Sequence, residues 1–299
     1  MDVSVDLSDP WYVKACNAVR DSLPERWRSD LPLVPVVRLS GVIGFSTPLK
    51  PGLSLSSVAK PLERAFSMKR AKAVALLINS PGGSPVQSHL IYRRIRQLSE
   101  EKGLPVLAFI EDVGASGGYM IACAADEIIC DPSSMVGSIG VVGGTFGFVK
   151  LIDKIGVERR LYTSGDRKTM LDPFLPEKPE DVQRVHTLQQ EIHTQFIALV
   201  KGRRAARLQR EDEYLFSGEY WTGATAVELG IADSLGDLRA VLRERYGESV
   251  RMPVMAPERS FLAKRFGGTS LGADVLSHNF AEDLVSALEA RAIWSRYGL

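Results

Sequence analysis

The sequence predicts an α/β fold built on a parallel sheet with helices on both faces. Two wholly apolar runs of strand length, residues 73–78 (AVALLI) and 106–110 (VLAFI), are the first observation. A strand with one wet face alternates polar and apolar residues, whereas a strand covered on both faces does not. The second observation is that segments of helical spacing separate these runs, which is the order of a parallel sheet with crossover helices. The third is that both runs empty into glycine-rich turns, and sites in such sheets lie at the carboxyl ends of strands.

Each element follows from local pattern. Residues 9–28 mix Trp11, Val13, Ala15, Val19 and Leu23 with charges and predict an amphipathic helical lead-in. Residues 34–39 form a first strand stopped by Gly41 and Gly44, and a polar, proline-bearing loop runs on to Leu55. Residues 57–67 carry Val58, Leu62, Ala65 and Phe66 at helical spacing. The strand at 73–78 ends in Asn79-Ser80-Pro81-Gly82-Gly83-Ser84. A helix over 89–102 leads to the strand at 106–110, which enters Gly114-Ala115-Ser116-Gly117-Gly118. A short helix over 117–125, a strand over 127–130 and a strand-like stretch at 158–162 follow. Residues 179–210 predict one long helix, with Val182, Val185, Leu188, Ile192, Phe196 and Val200 on its apolar face. A turn at 216–222 precedes a helix at 223–229. Residues 251–272 read as a linker, and 274–297 as an amphipathic segment with Leu276, Phe280, Leu284, Leu288 and Trp294. The expected organisation is an N-terminal helical extension (1–32), a main domain (33–245), and a linker with a C-terminal helical segment (246–299). No internal repeat or low-complexity tract is evident.

Bulk properties exclude several functions. The 299 residues are 45% hydrophobic and 24% charged, ordinary for a globular protein able to bury a core. A net charge of +1 supplies no field for recruiting nucleic acid. Three cysteines (Cys16, Cys123, Cys130) at unpatterned spacings argue against a disulfide framework or a zinc site, and fit a reducing compartment. The first ten residues carry Asp2, Asp6 and Asp9 with no basic and apolar signal pattern, and no run reaches the ~18–20 apolar residues of a membrane span. The expectation is a cytoplasmic protein, with peripheral contact at the inner membrane left open.

The candidate chemistry centres on Ser116. A hydroxyl in a glycine-framed strand-to-helix turn is a nucleophile in need of a base, and none of the four histidines lies in a comparable segment. Lys168, in Ser164-Gly165-Asp166-Arg167-Lys168, can serve if burial keeps its amine neutral, with Leu171, Pro173 and Phe174 as apolar cover. Gly117 and Gly118 open the start of the next helix to an oxyanion, and the Pro81-Gly82-Gly83 turn can bring a second amide near. Ser138, in Gly137-Ser138-Ile139-Gly140, can orient the lysine. Each feature also has a plain alternative: tight turns, a solvated lysine, a serine satisfied by its own backbone.

Taken together, Asn79-Ser80-Pro81-Gly82-Gly83, Ala115-Ser116-Gly117-Gly118-Tyr119, Gly137-Ser138-Ile139-Gly140-Val141 and Ser164-Gly165-Asp166-Arg167-Lys168 resemble the signal peptide peptidase A family of serine peptidases (family S49). The resemblance covers roughly residues 34–243, in the short, single-copy form. It implies a ClpP/crotonase-like α/β fold, Ser116 as nucleophile, Lys168 as general base and Ser138 as the hydroxyl bonded to the lysine. It further implies an oxyanion hole from the Gly83 and Gly117 amides, and apolar peptide substrates such as signal-peptide remnants, with neither metal nor other cofactor. Ring- or dome-shaped homo-oligomers are expected, in which serine and lysine can come from neighbouring subunits. The terminal segments, outside the resemblance, fit core packing, subunit contact or a membrane surface. A crotonase-type acyl-CoA enzyme, a non-catalytic scaffold and a phage-type capsid-maturation peptidase are the competing readings.

Overall fold

The computed structural model describes residues 31–45, 52–165, 167–255 and 291–298. The expected lead-in helix at 9–28 and most of the segments at 251–272 and 274–297 lie outside them.

Among the described residues eight strands form one mixed, mostly parallel sheet. They are β1 (Val36–Ser40), β2 (Val74–Ser80), β3 (Val106–Ala115), β4 (Glu127–Cys130), β5 (Met135–Gly137), β6 (Tyr220–Thr222), β7 (Ser234–Leu235) and β8 (Val254–Met255). The spine runs β6-β5-β3-β2-β1-β8, and every pairing is parallel except β5 with β6. The long β3 has two neighbours on one edge: β4 pairs with residues 107–110, and β5 with residues 113–115. This second pairing is why β3 continues past the apolar run that predicts it.

Side chains alternate between the two faces, and both faces are dry. Val37, Leu39, Leu76, Ile78, Ala108 and Ile110 point into the larger core. It is roofed by α1 (Leu55–Phe66), α2 (Pro85–Lys102) and α3 (Gly117–Ala122), with the end of α5 (Pro179–Arg204) adding Phe196 and Val200. Val36, Ala75, Leu107, Phe109 and Ile129 point the other way, against Val241 and Leu242. Those two belong to α8 (Leu238–Tyr246); the shorter helices are α4 (Val149–Lys154), α6 (Asp212–Leu215) and α7 (Gly223–Glu228).

The differences from expectation have local causes. Helix α2 starts at Pro85, four residues early, because Ser84 caps it and proline suits the first turn; Gly103, at φ 61°, ends it. Residues 158–162 form no strand; they are exposed and find no neighbour to pair with. Helix α5 stops at Arg204 and tightens into a 3-10 turn, Ala205–Arg207. Val254–Met255, inside the stretch expected to be linker, pairs with β1.

Candidate active site

The site lies where β2 and β3 end. Their register slips there: Ile78 pairs with Ile110 but Ser80 with Gly114, so β3 carries two extra residues and bends just before the turn that leaves it. Ser116 occupies that turn at φ 51° and ψ −121°, a conformation an L-residue adopts only when its surroundings hold it, at a cost of about 1–3 kcal/mol. It is half-buried, and its N–H donates to the Gly137 carbonyl at 2.8 Å. Helix α3 starts at the next residue. The spacing Gly114-x-Ser116-x-Gly118 is that of a nucleophile elbow.

Glycines let the two turns touch. A Cβ at Gly82 would stand 2.8 Å from the Ser116 Cβ and 2.9 Å from the Gly117 nitrogen. Gly83, at φ 141°, forms a parallel bridge with Ile43, and a Cβ there would collide with the Ile43 carbonyl. In that bridge the Ile43 N–H donates to Gly82 O (2.8 Å) and the Ser84 N–H to Ile43 O (2.8 Å). The N–H of Gly83 itself therefore points away from Ile43. The N–H of Gly117, at the first position of a helix, has no intrahelical acceptor.

Ser138 is close by. Ala115 pairs with Gly137, so Ser116 and Ser138 leave adjacent parallel strands. Ser138 sits at φ 53°, donates its N–H to Glu219 O (2.6 Å) and accepts from Gly140 N–H (2.9 Å). Its side chain faces the Tyr297 phenol; burial pushes that phenol's pKa up, and Ser138 acts the other way. Tyr297 packs with Trp294 on Val113, Ala115 and Met135, so residues 291–298 lie beside the site. No local signal in the sequence points to Tyr297. Nor does one point to His193 on α5, which holds Ile139 O at 3.0 Å next to Ser138.

Lys168 is placed differently. It is solvent-exposed, in a turn whose N–H donates to Gly165 O (3.2 Å), and its amine has no partner among the described residues. The aromatic cover expected for it serves elsewhere: Phe174 packs on Phe148 (5.5 Å) and under the Arg159 guanidinium (4.9 Å). Within one chain Ser116, Ser138, Gly83 and Gly117 lie together, and the exposed Lys168 amine is hydrogen-bonded to none of them. Among the described residues, no group of three or more His, Cys, Asp or Glu could hold a metal.

An α/β sheet with a hydroxyl on a strained strand-to-helix turn, beside open amides, defines the class of serine hydrolases. Residues 99–248 match the model of peptidase family S49, and the chain belongs to that family. It is 32% identical over 210 residues to the chloroplastic serine protease SPPA of Arabidopsis thaliana, covering 69% of this chain and 31% of that protein. It is 30% identical over 212 residues to the probable protease SohB of Buchnera aphidicola subsp. Acyrthosiphon pisum (71% and 60%). A longer Brucella abortus (strain 2308) protein named Na(+)/H(+) antiporter NhaA is 52% identical over 284 residues, 93% of this chain but 38% of its own length. The chain therefore spans less than two fifths of the Brucella and Arabidopsis proteins. No helix among the described residues is long and apolar enough to cross a membrane.

Proposed function

We propose that this chain is an endopeptidase subunit in which Ser116 attacks a peptide carbonyl and Lys168 of a neighbouring copy takes its proton. The observation that carries the reading is the strained Ser116 turn with the Gly82-Gly83 backbone pressed against it. As Oγ bonds to the carbonyl carbon, its proton passes to the neutral amine, and the oxyanion is held by the Gly83 and Gly117 N–H groups. The ammonium then protonates the leaving amine as the C–N bond breaks. Water, deprotonated by the same lysine, hydrolyses the ester. Ser138 orients the amine.

Supply of the lysine by another copy is supported by the segment that bears it. None of the described residues from Gly140 to Gln195 is buried. Val142, Phe146, Leu151, Ile155 and Tyr162 are all exposed on it. A lysine accepts a proton only where burial keeps it uncharged, and a second copy seated on these side chains supplies that burial. Apolar peptides, signal-peptide remnants among them, are the proposed substrates, on the strength of the motif resemblance to signal peptide peptidase A.

Mixed-subunit complementation is the test. Ser116→Ala and Lys168→Ala alone are expected to be inactive while folded, and a serine-reactive fluorophosphonate should tag unchanged protein at Ser116. A co-assembled mixture of the two variants should regain activity, with about one quarter of sites complete under random assembly. No recovery would refute delivery by a neighbour, and turnover by Ser116→Ala would refute the serine mechanism.

A further inference from the structure

Buried polar side chains are few in this fold, and two of them flank the oxyanion turn. Ser80 and Ser88 are both 0% exposed. The Ser80 hydroxyl donates to Gly41 O at 2.7 Å and accepts from the Gly82 N–H at 3.3 Å, gripping the turn on its entry side. The Ser88 hydroxyl donates to Ser84 O at 2.8 Å, gripping the exit side from the first turns of α2.

Each of these serines also bears on one glycine of the nucleophile turn. A Cβ at Gly118 would collide with the Ser80 carbonyl and stand 3.2 Å from the Ser80 Cβ. A Cβ at Gly117 would collide with the Ser88 hydroxyl and stand 3.3 Å from the Ser88 Cβ. The Pro81-Gly82-Gly83 turn is thus clamped at both ends by hydroxyls whose own residues are packed on Gly117 and Gly118. Tight packing of this kind transmits a shift of one turn directly to the other.

We propose that Ser80 and Ser88 are positioning residues that set the gap between the Gly83 and Gly117 amides, and with it the site's affinity for a tetrahedral oxyanion. The inference rests on the assignment of those amides as oxyanion donors. Neither hydroxyl is asked to touch substrate. Their effect falls on the transition state, because donors preset at the oxyanion position gain most when charge develops there. Ser88 is the cleaner probe. Without its hydroxyl, Ser84 O keeps the backbone bond from Ser88 N (3.0 Å), so only the packing on Gly117 and one hydrogen bond are lost.

The experiment measures kcat and KM on a fluorogenic apolar peptide, and inhibition by the matching peptide aldehyde, for the unchanged protein, Ser88→Ala and Ser80→Ala. Active sites are counted with a fluorophosphonate. The aldehyde adds Ser116 Oγ to its carbonyl carbon, so its oxygen takes the oxyanion's place, which the bound substrate's carbonyl does not yet do. Per titrated site, kcat should fall about tenfold to hundredfold and aldehyde inhibition should weaken in parallel, with KM within about twofold. A purely structural role would lower the number of titrated sites and leave both quantities unmoved. Unchanged kcat and aldehyde inhibition per site in Ser88→Ala overturn the inference. Should Ser80→Ala fail to fold, since it strips Gly41 O and Gly82 N–H of a partner, Ser88→Ala decides alone. Ser116→Ala separates the two levels. Turnover retained there overturns the serine mechanism and this inference with it. An inactive Ser116→Ala beside a Ser88→Ala of unchanged kinetics overturns the inference only.

Discussion

Among the described residues no thiol competes with Ser116, the proposed nucleophile. Cys123 and Cys130 are buried, and burial pushes both thiols up to about 12; Arg204 works in the opposite direction at Cys123, and Asp131 reinforces the rise at Cys130. In the unfolded chain a thiol loses its proton near ~8.5. The two groups therefore contribute to stability below about pH 8.5, and the contribution is lost as pH rises toward the folded value of about 12. Iodoacetamide at pH 8 is expected to leave both thiols unmodified in the native protein and to label them once urea unfolds it, as peptide mapping would report. Labelling of native Cys123 at the rate of a free thiol would contradict its burial. The same contrast explains what was legible at this scale. Ser116 announces itself through an apolar strand and flanking glycines, all local signals. Ser138 and Tyr297 meet from far apart in the chain, and nothing in either neighbourhood specifies the other.

Arg204 shows how an element is fixed by a residue that the sequence disguises. It closes the run Lys201-Gly202-Arg203-Arg204 and reads as one more solvated charge, yet it is 2% exposed. Its guanidinium donates twice to Gly230 O (3.1 and 2.8 Å) and once to Asp233 (2.6 Å). Asp233 in turn accepts from the Ile128 N–H at 2.7 Å, so one side chain ties the end of α5 to the β4–β7 edge. Arg204→Ala should cost about 1–3 kcal/mol, because Gly230 O loses its donor, while Asp233 keeps Arg207 (3.2 Å) and the Ile128 N–H. Urea denaturation should show a lower midpoint at an unchanged slope; a midpoint within error of the parent would show that the ion pair is dispensable. Elements with strong local signatures, β2 and α2 above all, are readable before folding. The three-residue strands β5 and β6 are not, since their only reason to extend is a neighbour: Val136 pairs with Trp221 across an antiparallel bridge. Helix α5 lies between these cases. Its apolar stripe is real, but of the stripe residues only Phe196 and Val200 are fully buried.

The described chain divides into a packed core and a lysine-bearing segment with no buried residue. Between Gly140 and Gln195 the described chain makes local contacts, such as Phe148 N–H to Pro173 O (2.6 Å) and Arg159 with Asp172 (2.7 Å), but none of its residues is fully buried. Helix α4 has no buried residue at all, although its sequence, Val149-Lys150-Leu151-Ile152-Asp153-Lys154, is half apolar. Under the proposed mechanism another copy of the chain covers these exposed apolar side chains. Ile155, 62% exposed just past α4, discriminates between roles. In the isolated subunit, Ile155→Asp replaces an exposed side chain with a solvated one and should leave thermal stability within about 0.5 kcal/mol of the parent. In an assembly it places an unpaired carboxylate in a dry interface, a penalty of several kcal/mol. Each 1.4 kcal/mol is about tenfold in the association constant. Analytical ultracentrifugation should then show dissociation at concentrations where the parent is assembled, with turnover lost in step because the dissociated copies lack a lysine beside Ser116. An Ile155→Asp protein that stays assembled and active would remove this face from the interface. A dissociated protein that stays active would return the base to the same chain as its serine.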